Sequence, residues 1–329
     1  MDEITDILPY TMKTMTASPN WVVRKTHIVL AGLYYPFAIL SYFRHALEKR
    51  PDVELFTVGA YTGDQIPWNG GMRLPMKYVK TVDLPLPPAI IKPSWKLIER
   101  NLPWAPDLVL CVDTGFHFLD KPNFPYAVIG TDPHVLNANG WYNDVRPKAD
   151  WFFNMQRYYM VGDDIHLPYA CSPDHHYPMS DIDKFYDASL IGLHYLQRNQ
   201  LVQALRNKGY KVIYNLGLIY DEYREQNNRA VCGLNWSSLM DINARTFEIM
   251  AMKQVPVINR LPHLDELGLF ENEHYLGFDT VQEGVEKVEW ALANPEKANA
   301  IALCAHNLVR ERHTYELRCE QILKTVGLL

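Results

Sequence analysis

Short apolar runs alternate along this chain with longer stretches whose apolar residues recur at helical spacing. Residues 27–32 (HIVLAG) are almost continuously apolar, the pattern of a strand buried on both faces. Residues 37–50 follow with Phe37, Leu40, Phe43 and Leu47 at helical spacing, and residues 53–58 (VELFTV) predict the next strand. No hairpin signal separates the two strands, so they are expected to lie parallel, with the helix as their crossover. Further strands are predicted at 107–112, 126–130 and 151–154. The rhythm restarts at residue 188. Strands are expected at 188–193, 211–216, 231–235, 255–259 and 275–278, and helices at 196–208, 220–229, 243–252, 281–293, 295–311 and 314–325.

Two segments break the rhythm. Residues 61–105 hold seven of the 22 prolines and the pair Gly70-Gly71, which predicts a long structured loop with short elements. Residues 163–184 are polar and Pro-bearing, the composition of a linker. The fold class expected is α/β. Two Rossmann-like domains with open parallel sheets, at 1–170 and 171–329, face a cleft at the carboxyl ends of their strands, and the last helix is placed to pack back on the first domain.

Composition narrows the function classes. Of 329 residues, 48% are apolar and 21% charged, as in a well-cored globular protein rather than a disordered or fibrous one. The net charge of −6 argues against a globally basic nucleic-acid or membrane-surface protein. No run of about 18 apolar residues predicts a membrane span, and the acidic N-terminus lacks the pattern of a secretory signal. Cys111, Cys171, Cys232, Cys304 and Cys319 are widely spaced and odd in number, which points to reduced thiols in the cytoplasm. Neither a C-x-x-C nor an H-E-x-x-H occurs, so no metal site is expected.

The chemistry-bearing segment is NWSSLMDINARTFEIMAMKQVPVIN, 235–259. A strand ends at Asn235, a loop carries Ser237, Ser238, Asp241 and Asn243, and a helix then begins. Asp241, Arg245 and Glu248 are spaced i, i+4, i+7 and are expected on one face, with Phe247 and Met250 turned to the core. A helix N-terminus after a strand favours anions. Arg245 there opposes the helix dipole by about 0.3–1 kcal/mol, unless a bound diphosphate reverses the sign by accepting its paired N–H bonds. The alternative is an Asp241–Arg245 pair with Glu248 in solvent.

The run N-x-R-x-F-E-x-x-A (Asn243, Arg245, Phe247, Glu248, Ala251) resembles the signature of the CgeB-like glycosyltransferases, a branch of the GT-B superfamily first named for spore maturation proteins. HLPYACSPDHHYP (166–178) resembles that family's linker, with Ser172-Pro173-Asp174 in place of its usual acid. ASLIGLHYLQRNQLVQAL (188–205) resembles its first strand and helix, with Gly192, Tyr195 and Arg198 on the motif, and RERHTYELR (310–318) resembles its closing motif. The resemblance covers residues 165–325, while the first half matches only in its strand plan. It implies a GT-B-like fold, a nucleotide-diphosphate sugar such as a UDP-sugar as co-substrate on the second domain, and neither cofactor nor metal. Carried over by position, Glu248 is the ribose-binding acid and Asn243 and Arg245 contact the diphosphate, with Thr246 and Asp241 beside them and Arg198 and Gly192 near the first turn. Many relatives carry a second acid eight residues before the ribose acid; here that position is Met240.

In such an architecture any catalytic base comes from the first domain. Asp113, just past one predicted strand, and Asp132 and His134, just past the next, are the candidates. Asp132 before Pro133 also fits a simple turn. His175-His176 is read as exposed or hinge-lining rather than metal-binding, and His313 as capping the last helix region. The segment 134–160, with Trp141, Tyr142, Arg146, Trp151, Arg157, Tyr158 and Tyr159, suits either sugar or base stacking or a packed domain edge.

The expected activity is sugar transfer to an acceptor hydroxyl. The acceptor stays open between a polysaccharide, a metabolite, a protein and a hydroxylated base of viral DNA, and the net charge lends the DNA option no support. A nucleotide-sugar epimerase and a non-catalytic nucleotide-sugar-binding protein are the alternatives.

Overall fold

The structure is a computed structural model that describes residues 24–35, 38–60, 81–87, 90–113, 115–136, 140–237 and 239–329, with Asp113 through its backbone only. The N-terminal segment, Phe37, Ser238 and residues 61–80 with Gly70-Gly71 lie outside the described residues.

The first apolar run becomes β1 (Thr26–Leu33), and α1 (Ile39–Glu48) leads to β2 (Val53–Ala60), paired in parallel with β1 along its whole length. Ile28, Val29, Leu30 and Ala31 have no exposed surface, which is why β1 reads as a continuous run rather than an alternation. Five more strands follow: β3 (Leu84–Pro85), β4 (Leu108–Asp113), β5 (Tyr126–Gly130), β6 (Trp151–Asn154) and β7 (Ile165–His166). They complete a sheet of order β3-β2-β1-β4-β5-β6-β7, parallel at every pairing. The short helices α2 (Trp95–Glu99), α3 (Pro133–Leu136) and α4 (Trp141–Val145) sit in its loops.

The second half runs β8 (Tyr186–Ile191), α5 (Leu196–Asn207), β9 (Val212–Asn215), α6 (Tyr220–Asn228), β10 (Ala230–Asn235), α7 (Ala244–Ala251), β11 (Val255–Asn259) and β12 (Leu276–Phe278). Its sheet has the order β12-β11-β10-β8-β9, again parallel throughout. Strand order reverses beside β1 in one sheet and beside β8 in the other, and crevices open at such reversals. Three helices close the chain: α8 (Val281–Ala293), α9 (Pro295–Arg312) and α10 (Tyr315–Thr325).

The stretch 163–184 joins the two sheets; its first part, 164–176, is largely packed, and 177–184 is mostly exposed. Ile165–His166 is strand β7, and Leu167, Ala170, Cys171 and Ser172 are buried. Its polar groups are consumed by specific partners. Asp164 accepts a two-pronged bond from Arg146, Nε and Nη2 each at 2.8 Å. Arg318 donates to the carbonyls of Pro168 (2.7 Å) and Tyr169 (3.3 Å) and to His313 Nδ1 (2.7 Å). His313, the C-cap of α9, therefore carries its proton on Nε2, which faces Leu267 O at 2.9 Å. The closing H-T-Y-x-x-R motif is thus a clamp on the crossover. Past that clamp, α10 packs on α1 of the first half, with Tyr42 and Tyr315 stacked at 5.2 Å. Cys171 and Thr314 pair as an isolated bridge where the chain crosses between the halves twice.

The aromatic segment 134–160 is largely a packed edge. Arg146 lies 4.5 Å over Phe152 as well as gripping Asp164, and Tyr142 and Phe153 are fully buried. Tyr158 remains 54% exposed.

His166, on β7, is held at about 4 by burial and then by the charges of Arg157 and Arg318. It is neutral in the fold and takes up a proton on unfolding near the ordinary value of about 6.5. The unfolded chain then binds more protons, so its contribution to stability is lost as pH falls from 6.5 towards 4. Between pH 7 and pH 5 the loss is about 2 kcal/mol for this one group. Urea unfolding of His166→Gln should show a correspondingly shallower acid slope than the parent. Equal slopes would mean that His166 is protonated in the folded protein.

Candidate active site

A cavity of about 360 Å³ lies between the two halves, and its lining includes residues just past the carboxyl ends of β5, β8 and β9. Asp132 and His134 reach it from the first half, and Gly192, Arg198, Asp241, Asn243, Arg245 and Glu248 from the second. Asp113 ends β4 beside Gly130 of β5, and its side chain lies outside the described residues. Thr246 does not belong to the wall. It is fully buried and accepts a hydrogen bond from Asn235 Nδ2 at 3.2 Å, because the pitch of α7 turns it inward; its expected donor contact is corrected accordingly.

The second-half wall is built around two arginines. Gly192 follows β8 with φ +146°, and a Cβ there would collide with the Arg245 guanidinium, so only glycine seats that side chain. Arg245 Nε donates to Ile191 O (2.8 Å) and Nη1 to Asn235 Oδ1 (2.9 Å). Arg198, in the first turn of α5, donates to Trp236 O (2.7 Å) and Leu193 O (2.8 Å). It is 4% exposed, and burial followed by the Arg245 charge lowers it to about 9. Among the described residues neither arginine makes a salt bridge with a carboxylate. Two neighbouring cations are therefore tied down by neutral oxygens, an arrangement that an anion would stabilise.

One expectation for this wall is revised. The helix starts only at Ala244, so Asp241 sits in the preceding loop and does not share a helical face with Arg245 and Glu248. Asn243 lines the cavity as well, its side-chain N–H groups donating to Asn235 Oδ1 (3.2 Å) and Ser237 Oγ (3.0 Å). Asn243 makes no side-chain cap on α7, so the first turn of that helix, next to the arginines, keeps its backbone N–H groups uncapped by a side chain.

Glu248, one turn into α7, is 9% exposed, and burial raises its carboxyl above the usual range. Tyr223 Oη donates to Oε2 at 2.7 Å, and Oε1 lies 3.7 Å from His176 Nε2. His176 is 1% exposed, so of the two expected placements of the histidine pair the exposed one does not apply to it. Its polar surroundings from both halves draw it inward.

On the facing wall Asp132 starts α3, its carbonyl accepting from Val135 and Leu136 N–H. The side chain nonetheless lines the cavity, with Oδ2 accepting from Thr131 Oγ1 at 3.1 Å. Burial raises both Asp132 and Asp241, and the charge of His134 opposes that rise in each, which places the imidazole within electrostatic reach of both carboxyls. Oδ1 of Asp241 has no hydrogen-bond partner among the described residues. A carboxyl with raised proton affinity is a better base than an exposed one.

Sequence reading did not place Tyr42, Tyr169, Tyr220 or Tyr223 at the cavity, yet all four line it. Tyr220 and Tyr223 are spaced i, i+3 on α6, which was the available signal; nothing in the spacing places Tyr42 of α1 beside them.

Residues 198–324 match the family model described as Glycosyl transferase-like. No curated protein sequence matches the chain. Among solved structures, Anabaena Alr3699/HepE in complex with UDP and glucose is similar at a TM-score of 0.64 and 10% identity, covering 92% of this chain and 100% of that one. Sucrose-phosphate synthase from Thermosynechococcus elongatus gives 0.62 and 11%, covering 92% and 98%. A UDP-N-acetylglucosamine 2-epimerase gives a lower TM-score of 0.54 at 10% identity, covering 93% and 98%. The chain thus has the GT-B fold of two facing Rossmann-like domains, and residues 198–324, most of its second half, match a glycosyl transferase-like family model.

Proposed function

We propose that this protein is a glycosyltransferase, of the CgeB-like branch, that moves a sugar from a nucleotide-diphosphate sugar to an acceptor hydroxyl. The observation that carries this reading is the pair of neighbouring cations, the buried Arg198 of α5 and the half-buried Arg245 in the first turn of α7, each hydrogen-bonded to neutral oxygens, with a buried acid, Glu248, one turn further along α7. The diphosphate lies against the arginines and the uncapped helix start, and the ribose hydroxyls donate to Glu248. The acceptor hydroxyl gives its proton to Asp132, its oxygen bonds to the anomeric carbon, and the bond from that carbon to the phosphate oxygen breaks. The nucleoside diphosphate departs with the electron pair, its new charge met by Arg198 and Arg245. Residues 1–170 present the acceptor and 171–329 hold the donor. No cofactor is required. The five free cysteines support a reducing, cytoplasmic setting.

A panel of UDP-, GDP- and ADP-sugars, with and without acceptors, tests this. The acceptors are polysaccharide, small hydroxylated metabolites, protein and hydroxymethylated DNA. Nucleotide release that depends on an acceptor is expected. Conversion of the sugar without an acceptor would replace the proposal with epimerisation, and tight binding without turnover would leave a binding protein.

A further inference from the structure

We infer that His176 is a positioning residue for Glu248, holding the carboxylate in register with a nucleotide ribose from the segment that joins the two halves. The inference rests on the ribose role proposed for Glu248. The tautomer follows from the backbone. Ser172 N–H donates to His176 Nδ1 at 3.1 Å, so Nδ1 is an acceptor and the ring proton is on Nε2. That Nε2–H stands 3.4 Å from Tyr42 Oη and 3.7 Å from Glu248 Oε1, while Tyr223 Oη holds the other carboxylate oxygen, Oε2, at 2.7 Å. Tyr42 comes from α1, His176 from the crossover, Tyr223 from α6 and Glu248 from α7, so four separate elements meet around His176 and the carboxylate it faces.

Burial keeps His176 neutral, at about 3, which suits a fixed N–H donor rather than a titrating partner. The same ring packs edge-on against Tyr42 at 5.3 Å and Tyr223 at 6.0 Å, which fixes its plane. Tyr223 thus holds one oxygen of Glu248 by a hydrogen bond while His176 faces the other at ion-pair distance, so the carboxylate has a polar neighbour at each oxygen. Ordering a carboxylate beforehand lowers what the ligand must spend on ordering it.

The test is calorimetric titration of UDP, GDP, ADP and inorganic pyrophosphate into the parent, His176→Phe, His176→Gln and Glu248→Ala. His176→Phe should weaken the best-bound nucleoside diphosphate about ten-fold or more. His176→Gln keeps an N–H near the Nε2 position and should recover to within about three-fold. Pyrophosphate, which has no ribose, should bind all four proteins alike. If the Phe variant weakens pyrophosphate equally, His176 is merely structural and the inference falls. If Glu248→Ala binds nucleotide like the parent, the ribose assignment fails. If Glu248→Ala weakens binding and His176→Phe does not, only the present inference is overturned. Should the Phe variant not fold, the ¹⁵N spectrum of the parent's histidines decides: a proton on His176 Nδ1 overturns the inference, and one on Nε2 with recovery in the Gln variant supports it.

Discussion

Asp132→Asn should lower turnover by about 10²–10⁴-fold, the range that a positioned general base contributes. Donor affinity should stay close to that of the parent, because Asp132 faces the cavity from the first half, across from the arginines and Glu248. Asparagine preserves the shape and can still meet Thr131, but it accepts no proton. Burial raises the proton affinity of the Asp132 carboxyl, so it is suited to take a hydroxyl proton near neutral pH. The measurement is steady-state turnover with the best donor and acceptor, alongside calorimetric donor binding. Near-normal turnover would reduce Asp132 to the residue that starts α3. The same measurement on Asp241→Asn and Asp113→Asn would then locate the base. An anomeric centre retained in the product would also remove the need for one.

Glu248→Ala should weaken nucleotide binding by about ten-fold to more than a hundred-fold, from charge-assisted hydrogen bonds to the ribose worth about 1.5–3 kcal/mol each. Arg245→Ala provides the contrast. It should weaken ligands that carry a diphosphate and leave a nucleoside untouched, since its guanidinium faces Gly192 and the start of α7. The two variants therefore lose different parts of the same ligand. If both bind nucleoside, nucleoside diphosphate and nucleotide sugar as the parent does, the donor is not held on α7. Removing Arg245 also leaves Ile191 O and one partner of Asn235 Oδ1 unfilled, so no gain in the stability of the empty protein is expected from relieving the helix dipole.

The parallel sheets were legible because their strands are buried on both faces and stand out as apolar runs. β1, β5 and β11 fall close to where the runs predicted them. β3 and β7, at two residues each, and α3, at four, are too short to carry any period, and tertiary pairing alone defines them. That Asp241, Asn243, Arg245 and Glu248 line one cavity was legible because one loop and one helix N-terminus bring them together in sequence. Thr246 was misplaced because a motif gives neighbourhood but not the direction of a side chain; one residue along a helix turns by about 100°. The packing of the first part of the linker was hidden for a related reason. Composition counts the polar groups of 163–184 but does not show that Arg146, Arg318 and His313 are waiting for them. His176 and Tyr42 are 134 positions apart, and no local pattern could have joined them.

The two crossings of the chain between the halves meet at the Cys171–Thr314 bridge rather than standing apart. Two separated hinges would fix an axis and leave one way to swing. A single joint acts as a pivot, and displacement then grows with distance from it. His176, only four residues beyond Ser172, brings Glu248 close to that pivot, where a given rotation moves atoms least. Parts of the facing wall further out travel along a longer lever. Asp132 is tied to the same joint, because Tyr169 Oη, two residues from Cys171, donates to Thr131 O at 2.7 Å. On the roles proposed above, the ribose acid and the base would both stand near the pivot, and the longer lever would fall to the outer parts of the cleft.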